Sequence, residues 1–199
     1  MARPFGTSAT VAVLLAAWCG EVAADPLADA LKGRPDGICY DRVYSAEHLA
    51  KNPGQKTRAI RMSLQAAPDI GGATVRIMLV EAAGAAWLAG TCNWATRAGT
   101  DSLGGQLLDT FRIGPGLDCH AVTSLSGMSA EEGGDFVVDM RDGRSMTVHV
   151  PGELAAWSRP GDTGDADWHA FGTEDRVFRV DGAQTALCAQ MNAAIVLEP

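Results

Sequence analysis

Aromatic side chains are scarce in this chain. Phe, Trp and Tyr together make up 6% of it, and only two tyrosines are present. That is too little for the two aromatic girdles of an outer-membrane barrel, and the cysteines argue against such a barrel as well. Clustered positive charge is also lacking. The 16 Lys and Arg residues are scattered singly against 24 Asp and Glu, for a net charge of −8. Nucleic-acid phosphates demand clustered cations, and anionic lipid surfaces make the same demand, so neither is expected as a partner. Beyond the first two dozen residues no apolar run approaches the roughly 20 residues needed to cross a bilayer as a helix. The chain also lacks G-x-S-x-G, H-E-x-x-H and a phosphate-binding glycine loop. No catalytic residue, metal site or cofactor is indicated; the 23 glycines are dispersed, as turn residues are.

What is present begins with a leader. Arg3 precedes an apolar run from Thr10 to Trp18, which Glu21 ends. Val22-Ala23-Ala24 then offers the small side chains a signal peptidase accepts before a cut at Asp25. Cys19 follows Trp18 and not a small residue, so a lipid anchor is not expected there. The sequence thus divides into a signal peptide at 1–24, a loose lead-in at 25–35 and a single domain at 36–199, in the periplasm or secreted. Cleavage removes Cys19 and leaves Cys39, Cys92, Cys119 and Cys188. An even number of cysteines in an oxidising compartment reads as two disulfides, with three possible connectivities. The favoured pairing is Cys39–Cys188, tying the ends of the domain, with Cys92–Cys119 closing a loop of about 27 residues. On the chain-entropy view these closures contribute roughly 5 and 3.6 kcal/mol.

The mature domain reads as mainly β: a small antiparallel barrel or sandwich with one or two short helices. Pro26–Leu31 can form one helical turn. Ile38–Tyr44 reads as a strand, and Ser45 can cap a short helix over Ala46–Lys51 that Pro53-Gly54 stops. Thr57–Leu64 alternates, with Ile60, Met62 and Leu64 on one face; Thr74–Glu81 is more continuously apolar. Pro68-Asp69 and Gly71-Gly72 supply the turn between them. Phe136, Val138 and Met140 alternate up to Asp142-Gly143, and Met146, Val148 and Val150 alternate beyond it, the pattern of a β-hairpin. Leu107–Ile113, Cys119–Leu125 and Arg176–Val180 are further expected strands. Ala183–Ala194 fits helix or strand. Glu131-Glu132 before Gly133-Gly134 reads as a hairpin loop. Asp41-Arg42-Val43-Tyr44 is echoed by Asp175-Arg176-Val177-Phe178; if structural, the two segments are edge strands meeting where the sheet closes. Short strands with frequent Gly and Asp turns favour this architecture over alternating strands and helices.

Few residues suggest chemistry. Cys119-His120 is not a nucleophile–base pair, because strand neighbours point to opposite faces. His48 and His149 read as surface residues. The stretch Arg159–Gly172 stands out for Asp162, Asp165 and Asp167 on a Gly-rich loop. Its spacing is not that of an EF-hand, since Gly164 is misplaced and no Glu closes it. It reads instead as an acidic loop, with Trp157 and Trp168 as candidate anchors. The candidate binding residues are therefore Trp157, Asp165, Asp167, Trp168 and His169, suited to a basic protein or a cell-wall saccharide.

Cys39-Tyr40-Asp41-Arg42-Val43-Tyr44, then His48-Leu49, Pro53 and Gln55, resembles the opening of a group of uncharacterised exported proteins from alphaproteobacteria. The ends of those proteins are similar to Asp175–Val180 with a following Cys188. The resemblance implies an exported domain stapled near its termini, and no activity. The functional expectation is an exported binding or inhibitor module acting through loops at one end of the barrel, in the manner of small periplasmic inhibitors of cationic lysozymes. The alternative is a cell-envelope hydrolase using carboxylates that converge in space.

Overall fold

A computed structural model describes residues 26–96, 115–125, 133–140, 144–162 and 164–197. The leader, the Leu107–Ile113 strand, the Glu131-Glu132 loop and the Asp142-Gly143 turn lie outside the described residues. The chain is mainly β. A short helix α1 (Pro26–Leu31) precedes strand β1 (Ile38–Val43) and helix α2 (Ala46–Lys51). Strands β2 (Thr57–Ala67), β3 (Gly72–Glu81), β4 (Ala85–Ala95), β5 (Gly116–Ala121), β6 (Asp135–Asp139) and β7 (Ser145–His149) follow. A hairpin of β8 (Glu153–Ala156) and β9 (Asp167–Ala170) comes next, then β10 (Val177–Gly182) and helix α3 (Thr185–Ala194).

Eight of these strands close an antiparallel barrel in the order β1-β10-β7-β6-β5-β4-β3-β2; β8 and β9 form a separate two-stranded sheet. Alternation decides the register. Ile60, Met62 and Leu64 of β2, Val75, Ile77 and Leu79 of β3, and Val138, Val148 and Val180 across the far wall are buried in one core. Arg61, Thr74, Asn93, Arg179 and Asp181 occupy the opposite faces of their strands. No helix among the described residues is long and apolar enough to cross a membrane.

The sequence expectations hold for β1, β2, β3, the β6–β7 pairing (Val138 opposite Val148) and β10. They hold also for α2, where Ser45 Oγ accepts from His48 N at 3.1 Å, and for the turn, where Gly71 takes φ +71°. Both disulfides form as favoured: Cys39–Cys188, and Cys92–Cys119 between directly opposed residues of β4 and β5. The ambiguous Ala183–Ala194 resolves as α3. This helix lies against the outside of the wall: Cys188 ties it to β1, and Ser63 Oγ donates to Asn192 Oδ1 at 3.1 Å. Three differences have physical causes. The 25–35 segment contributes to the core, since Leu27 and Leu31 are buried. The strand expected over Cys119–Leu125 ends at Ala121, because the chain then changes partner: Val122 N donates to Ala89 O at 2.9 Å. Asp167–Ala170 of the expected acidic loop is strand β9, because it pairs with β8. Strands β1 and β10 do pair where the barrel closes, but the echoed residues do not face each other there. Asp41 faces Asp181 in the ladder, whereas Asp175 lies before β10 and accepts from Lys56 N (2.7 Å) and Thr57 N (3.1 Å).

The two barrel ends are closed differently. Helix α1 covers the end where β2 finishes. At the other end, where β5 diverges from β4, the β8–β9 hairpin takes its place. Trp87 and Trp157 exchange two backbone hydrogen bonds of 2.8 Å, so the backbone of β4 stays paired. Leu154 and Ala156 of β8 join the core, and Phe171 packs edge-on to the buried Phe178.

A candidate binding groove at the hairpin end

The β3–β4 turn and the β8–β9 hairpin face each other across a groove of about 220 Å³. The turn side is built from small residues. Glu81 N donates to Gly84 O at 2.8 Å, and Gly84 has φ +150°, a conformation that only glycine adopts without strain. Ala83, Ala85 and Ala86 then leave the floor unobstructed. The opposite wall is Trp157, Ser158, Asp167, Trp168 and His169.

Each polar side chain here is positioned by the fold. His169 pairs with Leu154 across the hairpin, so its ring leans toward the core side. It stacks edge-on against Phe171 at 4.9 Å, and its Nε2 lies 3.2 Å from Glu81 Oε1, at ion-pair distance. A line of contacts thus runs from the core residue Phe178 through Phe171 and His169 to Glu81. Trp157 is buried, and its indole N–H donates to Gly164 O at 2.8 Å, which holds the connecting loop against the hairpin. Asp162 Oδ1 accepts from Gly164 N at 3.1 Å, tightening the same loop. Trp168 is the exception: it pairs with Ala155 and remains 57% exposed.

Of the five residues singled out from sequence, the structure brings Trp157, Asp167, Trp168 and His169 together around one groove. Asp165 is exposed and is not part of its lining. Glu81, the partner of His169, was visible in the sequence only as the end of a strand, and no local signal marks it as part of a site.

A second polar pair also escaped sequence reading. On the outer faces of β5 and β6, His120 Nδ1 donates to the buried Asp135 Oδ1 at 2.5 Å. The two stand directly opposite each other, with Thr91 on the far side of His120. Cys119, by contrast, points into the barrel and is oxidised, so the Cys-His neighbours do lie on opposite faces. His149 faces outward but is half-buried. Among the described residues, no three of His, Cys, Asp and Glu gather closely enough to hold a metal ion.

Two other grooves are larger. One, of about 400 Å³, lies beside α1 with Lys32 as its single charged side chain. The other, of about 460 Å³ between β1, β2 and α3, sets Asp41 against Arg61, so its own charges offset each other. Neither presents an exposed aromatic. Comparison with protein-family models, with curated proteins and with solved structures finds no match for this chain.

Proposed function

We propose that the protein is an exported binding module that holds its partner in the groove between the β3–β4 turn and the β8–β9 hairpin. The observation that carries this reading is the setting of Trp168. A side chain of that size is usually buried, yet here it stands exposed beside a groove edged with carboxylates, on a hairpin anchored through Leu154, Ala156 and Trp157. Rigid support under an exposed tryptophan is what a recognition hot spot needs. Export is supported by the two disulfides, which persist where thiols oxidise. The partners that suit the groove are a basic protein or a cell-wall saccharide.

The test is a pull-down with the immobilised mature protein against cationic hydrolases and soluble peptidoglycan fragments at micromolar concentration. A retained partner that is lost with Trp168→Ala is the expected result. Retention of nothing overturns the proposal. The same experiment addresses the hydrolase reading, because Glu81 and Asp167 both line the groove. Fragments shortened during incubation by the wild type, and not by Glu81→Gln, would replace a binding module with an enzyme.

A further inference from the structure

Resting on that reading, we infer that the groove receives a single arginine side chain of a basic partner protein. The donors and acceptors on the groove walls select the guest. The carboxylates of Glu81 and Asp167 only accept hydrogen bonds. Of the side-chain donors on the same walls, the Trp157 indole N–H is engaged by Gly164 O and His169 Nε2 lies 3.2 Å from Glu81 Oε1, which leaves the Ser158 hydroxyl and the Trp168 indole N–H. Among the described residues, no Lys or Arg lines the groove. A guest rich in acceptors therefore meets carboxylates and few partners. A guest with donors alone is matched, and guanidinium offers five N–H groups and no acceptor.

Size and shape agree with charge. At about 220 Å³ the groove is smaller than the roughly 300–1,000 Å³ of sites that enclose a free small molecule. It suits one side chain carried in by a larger body. Trp168 stands exposed at the position neighbouring Asp167 in β9, and an indole is approached better by a planar guanidinium than by a compact ammonium. The opposite wall of Ala83 and Gly84 leaves that approach clear. Glu81 lies within reach of the same guest, which can take its carboxylate from His169 and form a two-pronged ion pair. Electrostatics act at long range in the same direction, since the chain carries a net charge of −8. A saccharide would stack on Trp168 as well, but its hydroxyls and acetamido oxygens would turn acceptors toward the carboxylates.

The experiment is a titration of isotope-labelled mature protein followed by nuclear magnetic resonance, reading the Trp168 indole N–H. The probes are N-acetyl-Gly-Arg-Gly-amide, its citrulline analogue (equal in shape and neutral) and a peptidoglycan disaccharide. The arginine peptide is expected to shift the Trp168 signal saturably, and the citrulline peptide to bind about tenfold more weakly. With the arginine peptide, the backbone resonances of residues 167–169 provide the readout for Trp168→Ala, which is expected to weaken binding roughly fivefold; Asp167→Asn acts in the same direction. Both side chains are exposed, so unchanged thermal unfolding will show that the fold is intact. Equal binding of the arginine and citrulline peptides overturns the inference. So does Trp168-dependent binding of the disaccharide with no response to the arginine peptide, an outcome that leaves the binding module standing. Silence from every probe, together with an empty pull-down, overturns both.

Discussion

The two ends of the barrel solve the same problem by different means. At one end α1 lays Leu27 and Leu31 into the core, and that is nearly all it does. At the other end a hairpin divides the work between its strands. Strand β8 seals, through Leu154 and Ala156, while β9 leaves Asp167 and Trp168 exposed and His169 half-buried. The comparison teaches that closing a barrel takes one apolar face, so a second strand in the same cap is released for recognition. Damage at the α1 end should therefore appear as lost stability, and damage on β9 as lost binding.

The largest effect is expected at the α1 end. Leu27→Ala removes a fully buried side chain and should cost about 2–5 kcal/mol of unfolding free energy, with partner binding unchanged at temperatures where the protein is folded. Chemical denaturation measures the first and a binding titration the second; a binding defect as large as the stability defect would break the comparison. Next comes the structural support beneath the hairpin end. Asp175→Ala strips the acceptor from Lys56 N and the buried Thr57 N, and should cost about 2–3 kcal/mol, read from the shift of the denaturation midpoint.

A smaller effect belongs to Tyr44, beside α2. Burial pushes its phenol up from the ordinary value near 10, while Arg42, whose guanidinium lies 5.7 Å from the ring centroid, pulls the other way. A pKa raised in the folded state means that the stability is intact below about pH 10 and declines as pH rises above it, because the unfolded chain releases the proton more readily. Tyr44→Phe should make this alkaline decline shallower in denaturation curves taken from pH 8 to 11. The smallest stability effect is expected at the groove itself. Trp168→Ala should stay within about 0.5 kcal/mol of wild type, as exposed positions usually do. A loss of several kcal/mol would make Trp168 part of the seal and erase the distinction between β8 and β9.

Much of the wall was legible because its strands bury one face only. Ile60, Met62 and Leu64 alternate with Arg61 and Ser63, and the sequence displays that directly. Strand β4 was not legible, and its position explains why. Both faces are covered: Leu88 and Cys92 point into the core, while Ala89 packs outside against Val122, Trp157 and Ile195. Alternation therefore disappears. Several of its residues are also small, and at Gly90 the strands approach closely: a Cβ there would lie 2.1 Å from His120 O. Composition drew attention to the Trp157–His169 region, since tryptophan and aspartate on a Gly-rich stretch are conspicuous. It could not supply Glu81, which comes from a turn far away in the chain, nor the pairing of His120 with Asp135. Such partners are fixed by strand register, a property of the closed sheet and not of any local segment.

The pairing of β1 with β10 has a consequence for the order of events in folding. The first and last strands of the wall are neighbours, joined also by Ala183 N donating to Cys39 O at 2.8 Å, and Cys188 follows soon after. A chain emerging from its N-terminus holds β1 with one side unsatisfied until nearly everything else has appeared. Closure and the Cys39–Cys188 bond must therefore come late, and the long separation between the partners makes the step slow.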